Sequence, residues 1–369
     1  MTNETMAPQQ AEAFRTQTVR RHQIWTVVTR TLTTMAMALG MGFVITALVS
    51  PRPLQAYTAL LTGPLSSPAR IGIWMEDATG LILLGLAFTL VFQARQFSLL
   101  AEGQLHLGAL VAGIVALHLP LPIGLHLGMA LLAAMAAGFL YGLIPGALKA
   151  YLGASELVAS LMLNVIAQRF YELLLTYWLR PPGAGYNWTD PFPATAILWR
   201  PIPDVRINIG LPIALMATAL VWLLIYRSSF GYELRVVGAN PEFARYVGIP
   251  LRRVILLGIA VSGIPAGLAG AYLAMGVHHR LILNISLGLG FEGIVVALLA
   301  RNNPAFVPLA AFAYSYLRIG GDIMERTAAV GSDLVRLIQA VIILFLTAEA
   351  LFEQLSHWIA RRRHLHVGS

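Results

Sequence analysis

The sequence predicts an all-α integral membrane protein of about ten transmembrane helices with an inverted repeat. Three observations carry this reading. The first is composition: of 369 residues, 57% are hydrophobic and 11% charged, and mean hydropathy is +0.72. Soluble domains carry roughly 25% charged residues. The second is the recurrence of apolar runs near the roughly 20 residues that cross a hydrocarbon core. They lie near 29–49, 78–94, 98–118, 124–148, 155–178, 207–226, 254–276, 285–300, 304–320 and 333–353. The third is the placement of Lys and Arg. With the N-terminus inside, fifteen fall on inner segments and eight on outer ones, the direction of the positive-inside rule.

This topology gives an inner tail, 1–23, a transmembrane domain, 24–356, and an inner tail, 357–369. The apolar run after the first tail is long and lacks a small-residue cleavage site, so it reads as a span rather than a cleaved signal. Both termini are expected in the cytoplasm. The net charge of +8 follows from the inner-face arginines, and no nucleic-acid partner is expected. The longest outer loop, 180–206, holds six prolines and the aromatics Tyr186, Trp188, Phe192 and Trp199. Proline limits its disorder. The loop reads either as a receiving surface for a partner protein or as a lid at the membrane interface, where Trp and Tyr collect.

The inner loop 227–253 carries Arg227, Arg235, Arg245, Arg252 and Arg253 and holds a short helix with signals at both ends. Asn240 suits the N-cap, Pro241 the first helical position, and Gly248 the left-handed stop. Phe243, Tyr246 and Val247 share one face. An amphipathic helix held at the inner face between two spans suits docking in a groove on a soluble partner; the plainer alternative is a capped loop helix.

Several chemistries are excluded or unsupported. Without cysteine there are no disulfides, thiolate metal sites or cysteine nucleophiles. The single lysine, Lys149, follows Leu148, whereas a phosphate-cradling P-loop needs glycine there. Neither a zinc-protease helix motif nor a nucleophile elbow is found. His278 and His279 are adjacent and read as outer-loop residues, while His106, His118 and His126 are scattered. The chain is not expected to be an enzyme or to hold a metal.

Polar residues at membrane depth are costly and point to function. Glu102 and His106 share a face at i, i+4. Ser160, Asn164, Gln168 and Glu172 form a stripe along the fifth span, with Arg169 placed to pair with Glu172. Glu292 lies in Gly288-Leu289-Gly290-Phe291-Glu292-Gly293. The alternative for each is bonding or close packing between helices. Glu102-Gly103 and Glu292-Gly293 both open a span after a break, in opposite orientations, the pattern of an inverted repeat whose broken helices meet near the midplane.

Four segments resemble the permease subunit of bacterial ABC importers, in the branch serving ribose-type sugars, branched-chain amino acids and nucleosides. They are Phe97-Ser98-Leu99-Leu100-Ala101-Glu102-Gly103-Gln104, residues 155–164 (Ser155-Glu156-Leu157 to Asn164), residues 238–249 (Gly238-Ala239-Asn240-Pro241 to Ile249), and residues 290–304 (Gly290-Phe291-Glu292-Gly293 to Arg301-Asn302-Asn303-Pro304). The last, with Gly320-Gly321 and Leu337-Ile338-Gln339, most resembles nucleoside permeases. The likeness runs from about residue 80 onward; residues 1–75 give no support.

The resemblance implies a fold similar to type II-like ABC importer permeases in the bacterial cytoplasmic (inner) membrane. It implies an identical or homologous second permease, two cytoplasmic ATPase subunits that hold ATP-Mg, an extracytoplasmic solute-binding protein and surrounding lipid. No cofactor belongs to this chain. The 240–248 segment would be the coupling helix, acting through Asn240, Pro241, Phe243, Arg245, Tyr246 and Gly248. Glu102, Gln104, Asn164, Gln168, Glu292 and Asn302 would line or shape the path of a nucleoside-like solute. A simple sugar such as ribose is the alternative solute, and an ion-coupled secondary transporter the rival class.

Overall fold

A computed structural model describes residue 37 and residues 39–344 apart from 49, 203–204, 329–330 and 332. The expected tails 1–23 and 357–369, and parts of the expected spans 29–49 and 333–353, lie outside the described residues. Thr62–Gly320 form one compact unit, and the residues up to Leu61 together with those from Gly321 form another.

The helices in chain order are α1 (Leu39–Leu48), α2 (Pro53–Thr62), α3 (Pro68–Gln93), α4 (Ala101–His118), α5 (Leu125–Leu152) and α6 (Glu156–Leu174). Then come α7 (Gly210–Arg227), α8 (Ser229–Ala239), α9 (Pro241–Tyr246), α10 (Leu251–Tyr272), α11 (Leu289–Leu299), α12 (Val307–Ala328) and α13 (333–344). A π turn extends α6 through Leu175–Leu179, and another extends α10 through Leu273–His278.

Among the described residues, five helices are long and apolar enough to cross a membrane: α3, α5, α6 with its π turn, α7, and α10 with its π turn. They match the runs expected at 78–94, 124–148, 155–178, 207–226 and 254–276. The runs expected as separate spans at 285–300 and 304–320 are α11 and the helix after it, bent by 111° at a short break. The run at 98–118 is α4, whose Glu102, Gln104, His106 and His118 keep it out of the five. Helix α3 begins at Pro68, ten residues before the expected start, because Ser67 caps it by accepting the Arg70 N–H and its early acids, Glu76 and Asp77, are paired with arginines.

In the Thr62–Gly320 unit the helices sort by burial. Most of α3 and α10 is enclosed by protein, whereas α5, α6 and α7 leave most of their apolar surface open. Twelve of the 18 residues of α4 are buried. So α3, α4 and α10 form the centre, and α5, α6 and α7 form a more exposed outer layer. Between lipid-soluble helices hydrophobicity supplies no attraction, and close packing of small residues takes its place. Gly138, Gly142 and Gly146 of α5 recur every four residues and meet Gly263, Ala260 and Leu256 of α10. A Cβ on Gly138 would overlap the Gly263 carbonyl.

In the other unit, Tyr57 of α2 donates to the Leu39 carbonyl at 2.5 Å, and the Phe43 and Tyr57 rings meet edge-on at 5.3 Å. Gly42 of α1 packs against Ile338 and Ile342, and Gly321 against Val335 and Gln339.

The expected inner-loop helix is present as α9. The Asn240 side chain accepts from the Glu242 and Phe243 N–H groups, at 3.0 and 3.1 Å. Pro241 is the first helical residue, and Gly248 stops the chain at φ +82°. Within the expected loop 227–253, Ser229–Ala239 also form a helix, α8, capped by Ser228, whose hydroxyl accepts the Gly231 N–H at 3.0 Å.

Candidate functional site

A cavity of about 420 Å³ opens between α4, α6 and the segment that leads into α11. Glu102 and His106 of α4 line it, with Leu161, Asn164, Val165 and Gln168 of α6. Asn284, Ser286, Leu287, Gly288 and Phe291 complete it. Leu161, Val165, Leu287 and Phe291 are exposed, so the cavity lies on an open face of the unit.

Its floor is built from two helix starts that face one another. At α4, the hydroxyl of Ser160 accepts the Leu99 N–H at 3.0 Å. Asn164 accepts the Gly103 N–H at 2.8 Å and donates to the Leu99 carbonyl at 2.7 Å. Thus α6 supplies the cap that α4 lacks locally, since Leu100 has no capping side chain. At α11 the cap comes from α4: Glu102 accepts the Gly290 N–H at 2.7 Å through one carboxylate oxygen, while Ser286 donates to the other. A carboxylate at a helix N-terminus is favoured by the exposed N–H groups and the helix dipole. Gly290 has to be glycine for this approach, because a Cβ there would collide with the Glu102 carboxylate.

His106 is buried and its Nδ1 lies 2.8 Å from the Glu102 carbonyl. A carbonyl only accepts, so Nδ1 carries the proton. Gln168 donates to Glu172 at 3.1 Å, and Arg169 pairs with Glu172 at 2.6 Å.

Of the path residues expected from sequence, Glu102, Asn164 and Gln168 come together here. Three others lie elsewhere. Gln104 is buried among α4, α5 and α10 and donates to the Gly138 carbonyl at 3.3 Å. Glu292 joins an ion cluster in which Arg318 lies 3.3 Å from Glu292 and 2.8 Å from Asp77. Ser315 donates to the same Asp77 at 2.7 Å. Asn302 sits at the bend after α11, at φ +55°, where Gln93 donates to its carbonyl at 2.7 Å. Sequence reasoning missed Asn284, Ser286 and Phe291 as lining residues. The available signal was an Asn and a Ser within the otherwise apolar run 281–289.

The 180–206 loop is tied to that same run. Trp188 forms a bridge with Ile282. Thr189 donates to the Leu281 carbonyl at 3.1 Å, Leu283 to Asn187 at 3.3 Å and Phe192 to His279 at 2.9 Å. Tyr171 of α6 donates to the Ile282 carbonyl at 2.8 Å. On the same loop, Arg200 and Arg206 lie 3.8 and 3.5 Å from the buried Glu76 of α3.

On α9, Phe243, Tyr246 and Val247 are exposed while Ala244 is fully buried. Ala244 packs with Ala94, Leu234, Val237 and Val254. One side of this small helix is seated on the bundle, and its aromatic side is open.

Several long apolar helices mark an integral membrane protein. Over residues 71–347 the chain matches the family described as branched-chain amino acid transport system / permease component, and it belongs to that family. It is thus the permease component of an ABC importer, as the four sequence segments implied. The family is one of transport subunits, not catalysts, and its members work with ATPase and solute-binding partners.

Three relatives align over most of their length. The guanosine ABC transporter permease protein NupP of Bacillus subtilis is 33% identical over 86% of this chain and 92% of its own. The nucleoside ABC transporter permease protein NupB of Lactococcus lactis is 29% identical over 88% and 93%. The glucose ABC transporter permease protein TsgB13 of Haloferax volcanii is 31% identical over 89% and 90%. No solved structure matches the chain.

Proposed function

We propose that this permease forms the path of a nucleoside-like solute through the bacterial cytoplasmic membrane, and that the cavity between α4, α6 and the 284–291 segment is a solute-contacting part of that path. The carrying observation is the chemistry of its wall. Gln168, Asn284 and Ser286 offer amide and hydroxyl groups beside the Phe291 ring and the side chains of Leu161 and Val165. A nucleoside has a flat base and a hydroxylated sugar, so it needs both kinds of contact, and its size suits a cavity within the roughly 300–1,000 Å³ range of small-molecule sites. The NupP and NupB names support the same solute class. The TsgB13 name supports a sugar as the second reading; a sugar would use the polar wall and leave Phe291 with less to do.

Glu102 and Asn164 serve the path by holding the starts of α4 and α11 in place. Gln104, Glu292 and Asn302 act at a distance from the cavity, as fastenings between helices. The exposed cavity face is where an identical or homologous permease closes the path. The topology we propose keeps about ten spans with an inverted repeat and both termini cytoplasmic, the bent pair of α11 and the helix after it counting as two crossings. Helix α9 is the coupling helix, which presents Phe243, Arg245 and Tyr246 to a cytoplasmic ATPase subunit. ATP-Mg binds in that partner. A solute-binding protein delivers cargo to the 180–206 side, and no covalent step occurs in this chain.

The test is uptake by the assembled importer in proteoliposomes. Gln168→Ala and Asn284→Ala are expected to raise KM for guanosine or to shift the preference between nucleoside and ribose, with assembly unchanged. Unchanged kinetics and preference in both variants would remove the cavity from the path.

A further inference from the structure

We propose that His106 is a specificity-determining residue of the cavity: its Nε2 accepts a hydrogen bond from an N–H on the base of the solute. The site then selects purine nucleosides that carry a proton on ring nitrogen N1, such as guanosine and inosine, over adenosine. The proposal rests on the nucleoside reading above and assigns the base edge that the cavity recognises.

Polar side chains that line the cavity direct donors into the protein. Ser286 donates its hydroxyl to Glu102. Asn164 donates its amide to the Leu99 carbonyl at 2.7 Å, and Gln168 turns its amide nitrogen to Glu172 at 3.1 Å. His106 commits its Nδ1 proton to the Glu102 carbonyl at 2.8 Å. What these groups have left are acceptors. In that tautomer the second ring nitrogen of His106, Nε2, carries a lone pair, and Gln168 keeps its Oε1. Among the described residues, none bonds to either atom. Asn284, which is exposed, is the lining side chain that keeps both a donor and an acceptor.

The imidazole is held in place from two sides. Its side chain is 2% exposed and meets the Tyr171 ring edge-on at 5.4 Å and 74°, while the Tyr171 hydroxyl is fixed to the Ile282 carbonyl at 2.8 Å. Nδ1 lies 3.9 Å from the Glu102 carboxylate, farther than from the carbonyl, and that carboxylate already accepts from Ser286 and from the Gly290 N–H. The ring is thus oriented before any solute arrives, and little freedom is lost on binding. A buried acceptor left without a donor costs free energy. A solute that supplies an N–H is therefore favoured, and one that sets a second lone pair against Nε2 is disfavoured. Guanine and hypoxanthine carry a proton on N1, whereas adenine has a lone pair there. Sugar hydroxyls both donate and accept, so they suit the wall without telling one nucleoside from another.

The experiment titrates guanosine, inosine, adenosine and 1-methylguanosine onto the permease–ATPase complex in nanodiscs and reads binding by saturation-transfer NMR. The wild type is expected to bind guanosine and inosine roughly fivefold or more tightly than adenosine and 1-methylguanosine. His106→Leu removes the acceptor and is expected to bring the four affinities together. His106→Gln, whose amide oxygen can stand in for Nε2, is expected to keep part of the preference. A wild type that does not distinguish guanosine from adenosine overturns the proposal without any variant, and so does one that binds none of the four. Equal weakening of all four in His106→Leu, with the preference intact, gives His106 a structural role alone and also overturns it. A wild-type preference for adenosine shows that Nε2 donates, which contradicts the proposal. If His106→Leu instead erases discrimination between guanosine and 3′-deoxyguanosine, Nε2 faces the sugar and the base assignment falls. Uptake by the wild-type importer separates the two readings. Import of ribose or glucose but not guanosine removes the nucleoside reading, and the role of His106 with it. Guanosine import together with an unchanged preference in His106→Leu removes the role of His106 alone.

Discussion

The Glu102 carboxylate in the first turn of α4 accepts the Gly290 N–H in the first turn of α11 at 2.7 Å, so one acidic side chain joins two helix starts. Hydrogen bonds to charged groups contribute roughly 1.5–3 kcal/mol. Glu102→Gln keeps the shape and loses the charge; it is expected to lower the thermal midpoint and slow uptake. Gly290→Ala expels the carboxylate from the same position. The two substitutions are therefore expected to be strongly non-additive. A double variant whose midpoint drops by the sum of the single drops would show that the two residues act separately.

The α5–α10 seam gives a graded prediction. Gly138→Ala places a Cβ against the Gly263 carbonyl, and overpacking of this kind costs roughly 1–3 kcal/mol. Gly128 lies in the same helix with nothing within 4 Å of an added Cβ. Gly128→Ala is expected to be neutral or mildly stabilising, because alanine is the better helix former. Midpoints of the two variants in detergent check this, and equal effects would count against close packing at the seam.

The Asp77–Arg318–Glu292 cluster is partly buried, with side chains 14%, 27% and 29% exposed. Arg318→Gln removes the guanidinium that both carboxylates approach. It is expected to destabilise by roughly 1.5–3 kcal/mol, and Asp77→Asn added to it is expected to restore part of the loss. Thermal midpoints of the three proteins decide the matter; no recovery in the double variant would mean that Arg318 acts through other contacts.

Helix α9 separates coupling from folding. Phe243 is 52% exposed and Ala244 is fully buried. Phe243→Asp is expected to leave yield and midpoint unchanged while uncoupling ATP hydrolysis from uptake. Ala244→Asp is expected to impair folding itself, since it buries a charge without a partner. Full substrate-stimulated ATPase activity and uptake in Phe243→Asp would detach this helix from the motor.

Local rules made part of this molecule readable in sequence. Asn240, Pro241 and Gly248 announce α9 because capping and left-handed stops depend on neighbouring residues alone. The five long apolar helices follow from the cost of exposing polar groups to lipid, a property of composition. Of the stripe Ser160, Asn164, Gln168 and Glu172 on α6, Ser160 and Asn164 cap α4, Gln168 lines the cavity, and Glu172 bonds to Gln168 and Arg169 outside it. What stayed hidden depends on contacts distant in sequence. Glu102 finds its partners 184 and 188 positions away, Gln104 reaches a backbone carbonyl 34 positions away, and the Asn302 carbonyl accepts from the Gln93 side chain 209 positions away. No periodicity encodes such pairs. The 111° bend after α11 was invisible for another reason: two apolar runs separated by a short break look alike whether they cross the bilayer twice or fold back within it.

The central claim is that this permease supplies the path while a partner supplies the energy. The direct measurement is guanosine accumulation in proteoliposomes that hold either this chain alone or the chain with its ATPase and binding-protein partners, with and without ATP. Accumulation is expected only in the complete, ATP-fed system; uphill accumulation by this chain alone, driven by an ion gradient, would contradict the account.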